Sequence, residues 1–231
     1  YSYLNESLGL DNFKAFLHEP SIADKFEFLM ETKNDYTYED LATSQEARVD
    51  VAKSLAIFSA FAEGVSLYSS FAVLYSFQLR NLLKGIGQQM KWSVRDESLH
   101  SKMGCKLFRH MCEEYPELSE AVSEDVIEAA KLIVEMEEKF IDKMFEMGDL
   151  ENLKANDLKN FIRQRGNEKL GELGYNATPG GDHYFEYDEE SAENLDWFYH
   201  LTGGVTHTDF FAMRPTDYSK AGEDDDWDDL F

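Results

Sequence analysis

The sequence predicts an all-α fold, a helical bundle followed by an acidic tail, on three observations. Only four prolines occur in 231 residues, and three of them lie after position 100. Helix-forming residues dominate, in long stretches with little glycine. The segment from Ser44 to about Leu83 is apolar on nearly every face, with Leu55, Ile57, Phe58, Phe61, Val65, Leu67, Phe71 and Phe77 among its residues. A helix of that kind belongs inside a bundle. The length suits one large core, so residues 1–206 are expected to form one helical domain and 207–231 a flexible tail.

The elements run in order along the chain. Tyr1 to Leu10 reads as the tail of a helix stopped near Gly9, and Asp11 to His18 as a short helical piece with Asp11 as its cap, ending before Pro20. Ser21 to Thr32 places Ile22, Phe26 and Leu29 on one face of a helix. Asn34 to Thr43 reads as a loop. The apolar helix then runs to about Leu83 and is broken by Lys84-Gly85-Ile86-Gly87. Further helices are expected over Gln88–Tyr115, stopped by Pro116, over Glu124–Met147 after a Ser123 cap, and over Asn156–Leu173, closed by Gly174. Asn176 to Tyr187 is a loop rich in Gly, Pro and aromatics, and Asn194 to Leu201 forms a short helix. After Gly203-Gly204 periodicity is lost, and the terminal acidic stretch is expected to be disordered.

A formal net charge of −24 argues against a nucleic-acid groove, which needs Lys and Arg against phosphate. Cys105 and Cys112, seven residues apart on one helical face, suggest idle thiols and no disulfide framework. No apolar run reaches the length of a membrane span and no signal peptide opens the sequence, so a cytoplasmic setting is expected, with no membrane partner. The first residue is Tyr1 rather than Met and lies in mid-pattern, so more polypeptide is expected upstream.

Chemistry concentrates in the centre. Glu63 interrupts an otherwise apolar helix, where an ionised carboxylate needs a cation or a hydrogen-bond network. The next helix carries Arg95-Asp96-Glu97-Ser98-Leu99-His100, and Glu97 and His100, three residues apart, project from one face. Ferritin-like di-metal proteins take one Glu from each of two helices and a Glu-x-x-His pair from each of two others. A bridging carboxylate with an imidazole suits Fe or Mn. His18, His110, His183, His200 and His207 have no ligand partners at helical spacing and are expected to be structural or exposed.

The stretch Ala62-Glu63-Gly64-Val65-Ser66-Leu67-Tyr68-Ser69-Ser70-Phe71-Ala72 and the run Val94-Arg95-Asp96-Glu97-Ser98-Leu99-His100 resemble the metal-binding helices of the class I ribonucleotide reductase small subunit. Asn167 to Tyr175, with its Leu173-Gly174-Tyr175 end, resembles a later helix of that family, and Phe210-Phe211 with Thr216-Asp217-Tyr218 resembles its junction with the tail. The resemblance implies a ferritin-like bundle and a di-metal centre of Fe or Mn, to which Glu63, Glu97 and His100 contribute. It implies that Asp96 orients a metal-bound His, that Leu67 and Phe71 shield a radical, and that the radical Tyr is Tyr1, with Tyr3 as second choice. It also implies that Tyr218 relays the radical, and that the tail ending Trp227-Asp228-Asp229-Leu230-Phe231 docks on the large subunit, where ribonucleotides are reduced. A homodimer is expected. The family's other carboxylate, its second Glu-x-x-His and its early Trp have no counterpart in this sequence, so a separate chain carrying that half is a candidate partner. A ferritin-like di-iron oxidase or oxygenase and a metal-free helical assembly protein are the alternatives.

Overall fold

The computed structural model describes residues 19–178 and 180–203. The helices are α1 (Pro20–Glu31), α2 (Tyr38–Thr43), α3 (Gln45–Ala56), a π-helical turn (Ile57–Ala62), α4 (Tyr68–Leu79), α5 (Lys84–Glu114), α6 (Glu117–Met144), α7 (Ala155–Leu173), α8 (Glu189–Glu193) and α9 (Asp196–Gly203). No strand occurs among the described residues, so the all-α expectation holds there.

Local chemistry sets many of the boundaries. Pro20 opens α1, where its missing N–H costs nothing. Thr37 and Asp40 form a reciprocal capping box that starts α2, and the Ser44 hydroxyl accepts from Ala47 N to start α3. Gly174 closes α7 at φ 104°, and Tyr175 N donates back to Leu170 O at 2.8 Å.

α5, α6 and α7 are the long members, and α3 with the π turn packs among all three. α4 lies along α5, α1 lies on α6, and α9 lies on α5. The largest fully buried side chains include Tyr68, Phe61, Phe108, Phe161 and Phe198. Phe198 brings α9 into the core by meeting Phe161 at 5.7 Å and Tyr68 at 6.3 Å between ring centroids.

Several expectations need correction. Residues 34–43 are not all loop, because the Thr37 capping box nucleates α2. The stretch from Ser44 to Leu83 is not one helix: it passes through the π turn, unwinds over residues 63–67, restarts at Tyr68 and stops at Leu79. Its break lies at residues 80–83, where Asn81 (φ 59°) and Leu83 (φ 47°) take left-handed backbone, and Lys84 to Gly87 is the first turn of α5. Ser123 is inside α6, which starts just after Pro116, and its hydroxyl bonds Glu120 O. Asn156 lies inside the first turn of α7, where its amide reaches Ser191, and the freed Ala155 N is taken by the Asp149 carboxylate. Both thiols are free, as expected, and burial pushes that of Cys105 up to about 12.

Candidate metal centre

Glu63 stands at the exit of the π turn, and its N–H bonds Phe58 O, five residues back. Such a turn holds one residue more than an α-helical turn, which re-aims everything beyond it. Glu97 and His100 stand one turn apart on α5, with His100 Nδ1 3.5 Å from Glu97 Oε2. One ligand atom from each of Glu63, Glu97 and His100 lies within 4.8 Å of the others. Among the described residues this is the one cluster of three or more such side chains.

Burial raises the Glu63 carboxyl above its usual range, the nearby Glu97 carboxylate raises it further, and His100 opposes both. Two carboxylates this close repel when both are ionised, and a divalent cation between them removes the repulsion. Two oxygen donors and one imidazole nitrogen suit Fe or Mn. The set fits one cation, and a pair needs more ligands than these three supply. Three apolar side chains within four residues of these ligand candidates along the chain are partly exposed: Leu67 and Leu99 at 38% and 42%, and Met103 at 55%.

Of the predicted site residues, the structure thus brings together Glu63, Glu97 and His100. Asp96 is exposed on α5 and is not part of the cluster. Leu67 is exposed, and Phe71 is half-buried edge-on to Tyr68, 5.9 Å between centroids. His110 pairs with Glu113 at the surface, His183 lies against Tyr187, and His200 is exposed on α9. Tyr1, Tyr3, His18, His207, Tyr218 and the acidic tail lie outside the described residues.

Four buried charges escaped the sequence reading, one of them Asp157 at the start of α7, which accepts from the Ser191 hydroxyl; the other three lie deeper in the helices. Glu137 is fully buried in α6, bonded by Lys25 of α1 and by the Ser69 hydroxyl. Arg165 and Lys169 of α7 are 3% and 4% exposed. Glu137, Arg165 and Lys169 fall on their helices' apolar stripes: Ile133, Glu137 and Ile141 on α6, and Leu158, Ile162, Arg165 and Lys169 on α7. Spacing alone could have found them, had a charged residue on such a stripe been read as buried.

The sequence profile for the ribonucleotide reductase small chain matches residues 1–180. The chain belongs to the ribonucleotide reductase small-chain family. It is 33% identical over 238 aligned residues to a protein named ribonucleoside-diphosphate reductase small subunit 048L of Invertebrate iridescent virus 3, covering 98% of this chain and 61% of that protein. It is 26% identical to the ribonucleoside-diphosphate reductase subunit beta of Chlamydia pneumoniae, covering 96% and 62%. The chain therefore spans about three-fifths of the length of these two relatives. A crystal structure from Bacillus halodurans, described as a class I ribonucleotide reductase, superposes with a TM-score of 0.63 over 75% of this chain and 55% of that one, at 20% identity. That likeness establishes the all-α, ferritin-like fold of the small chain. No helix among the described residues is long and apolar enough to cross a membrane.

Proposed function

We propose that this chain acts as the radical-generating small subunit of a class I ribonucleotide reductase, with Glu63, Glu97 and His100 as part of the ligand set of a di-metal centre. The observation that carries the reading is the meeting of two carboxylates and an imidazole, from two separate elements, within 4.8 Å in a chain of the small-chain family. Iron or manganese suits these donors, and when bound supplies one-electron oxidising chemistry.

The chain's own residues have distinct tasks. Glu63, whose carboxyl is held above its usual range by burial and by the Glu97 carboxylate, would hold the cation through its carboxylate oxygens, and the cation would remove that repulsion. Glu97 would supply a carboxylate and His100 a ring nitrogen to the same cation, the two standing one turn apart on α5. Asp96, next to Glu97, is the candidate to orient a ligand once the centre is complete. The remaining ligands of a pair come from outside the described residues, from the same polypeptide or from a separate chain. Tyr1, or else Tyr3, is the proposed radical site. Tyr218 is proposed to relay the oxidising equivalent to the large subunit, on which the tail docks, and the small subunit to work as a homodimer.

The test is Glu97→Ala, loaded with Fe(II) or Mn(II) and assayed by elemental analysis. Removing a ligand should weaken metal binding at least as much as removing an outer partner does, about 10- to 100-fold. Thermal stability should stay within about 0.5 kcal/mol, as for a partly exposed side chain. Unchanged metal content would remove Glu97 from the site.

A further inference from the structure

We propose that Arg165 is a positioning residue for this centre: from α7 it clamps the unwound turn that carries Glu63, and so sets where that carboxylate points. The proposal rests on the metal reading above and concerns a residue that touches neither metal nor ligand.

The π turn and the bends after it leave backbone groups out of register. Val65 N and Ser66 N both bond Phe61 O, at 3.2 and 2.9 Å. Tyr68 N bonds Val65 O at 3.0 Å, whereas in an unbroken α-helix it would take Gly64 O. The displaced Gly64 carbonyl accepts instead from Arg165 Nε at 2.9 Å. The same guanidinium lies 3.7 Å over the Tyr68 ring, the first residue of the restarted helix, and 5.9 Å from the Phe161 ring. One buried side chain thus grips the turn on both sides of residues 65–67. It makes a charge-assisted hydrogen bond to the carbonyl next to Glu63 and a cation–π contact beyond.

The turn has little room to move elsewhere. A Cβ on Gly64 would collide with Ala60 O and would stand 2.7 Å from Ser101 Oγ of α5 and 2.9 Å from Lys169 Cδ of α7. Its backbone is therefore pressed between the helix that bears Glu97 and His100 and the helix that bears Arg165.

Without Arg165, a buried carbonyl is left unsatisfied. The nearest remedy is rewinding, in which Tyr68 N returns to Gly64 O and the extra residue of the π turn is absorbed. Absorbing one residue rotates the chain before the turn by about 100° relative to the helix after it. Glu63 would then leave the face it shares with Glu97 and His100. Arg165 thereby acts on geometry, holding two mutually repelling carboxylates in one cluster before any cation compensates them.

The experiment is a Co(II) titration of the full chain, followed by the visible d–d absorption, for the parent, Arg165→Met, Arg165→Lys and Glu97→Gln. Circular dichroism and a melting curve are recorded for each, and the titration is run well below the lowest melting temperature. Arg165→Met should weaken Co(II) binding about tenfold or more and change the band pattern while helicity is retained. Arg165→Lys keeps the charge but cannot both stack flat on Tyr68 and reach Gly64 O, so it should fall between Met and parent. If Arg165→Met does not fold, the Lys variant decides. A folded variant with a lower melting temperature but parental affinity and spectrum, alongside loss of binding in Glu97→Gln, overturns the clamp and leaves the metal reading intact. Parental binding by Glu97→Gln overturns both.

Discussion

Replacing Gly104 by alanine probes the contact that holds α5 against the π turn. An added Cβ would fall on the Ser59 side chain, 2.5 Å from its Cβ and closer to its Oγ, while Ser59 Cα stays 3.6 Å away. Rotating Ser59 moves the hydroxyl but not the Cβ, so a rotamer change does not relieve the overlap and the backbones must part. Overpacking of this kind costs roughly 1–3 kcal/mol. Exchanging Gly for Ala in a helix interior returns about 1 kcal/mol. Gly104→Ala alone should therefore destabilise by about 1 kcal/mol, lowering the melting temperature by roughly 2–4 °C in a chain of this size. In a Ser59→Gly background only the 3.6 Å contact with Cα remains, which is ordinary packing. There the same substitution should stabilise by about 1 kcal/mol, a coupling of roughly 2 kcal/mol across the pair. The four proteins are compared by thermal and urea unfolding. The single variant should also bind Co(II) less tightly, because moving α5 carries Glu97 and His100 away from Glu63. Equal effects of Gly104→Ala in both backgrounds would refute the assigned contact.

Three more outcomes can be checked. Burial raises the Glu137 carboxyl above its usual range, and the opposing pulls of Lys25 and Ser69 do not cancel this. The folded state thus holds that proton more tightly than the unfolded one, and the associated stability is present below the ordinary carboxylate pKa and lost as pH rises through the raised value. Parental stability relative to Glu137→Gln, read from urea unfolding, should fall as pH rises above the ordinary carboxylate range; a flat or rising difference would contradict the burial. Truncation after Lys220 should leave the melting temperature unchanged and abolish capture of the large subunit. Tyr218→Phe should bind normally but fail in ribonucleotide reduction, and full activity there would refute the relay.

Most helix ends of this protein could be read from its sequence because helix formation is governed by neighbours within four residues. Pro20, Ser44, Pro116 and Gly174 mark ends that hold in the structure, by chemistry local to each. Glu97 and His100 were legible for the same reason, since an i, i+3 pair on one helix shares a face whatever surrounds it. Glu63 was legible as an anomaly, an acid in an apolar run. That it faces Glu97 and His100 depends on a π turn and an unwound segment, which no local propensity specified. Those irregularities go with long-range contacts: a Cβ on Gly64 would meet Ser101 and Lys169, and Arg165 takes the Gly64 carbonyl. The same holds for Glu137, whose partners Lys25 and Ser69 lie 112 and 68 residues away along the chain. Sequence determined most of the helices and named the candidate ligands; only tertiary packing decided how the backbone that carries them is bent, because the groups packed against it are distant in the chain.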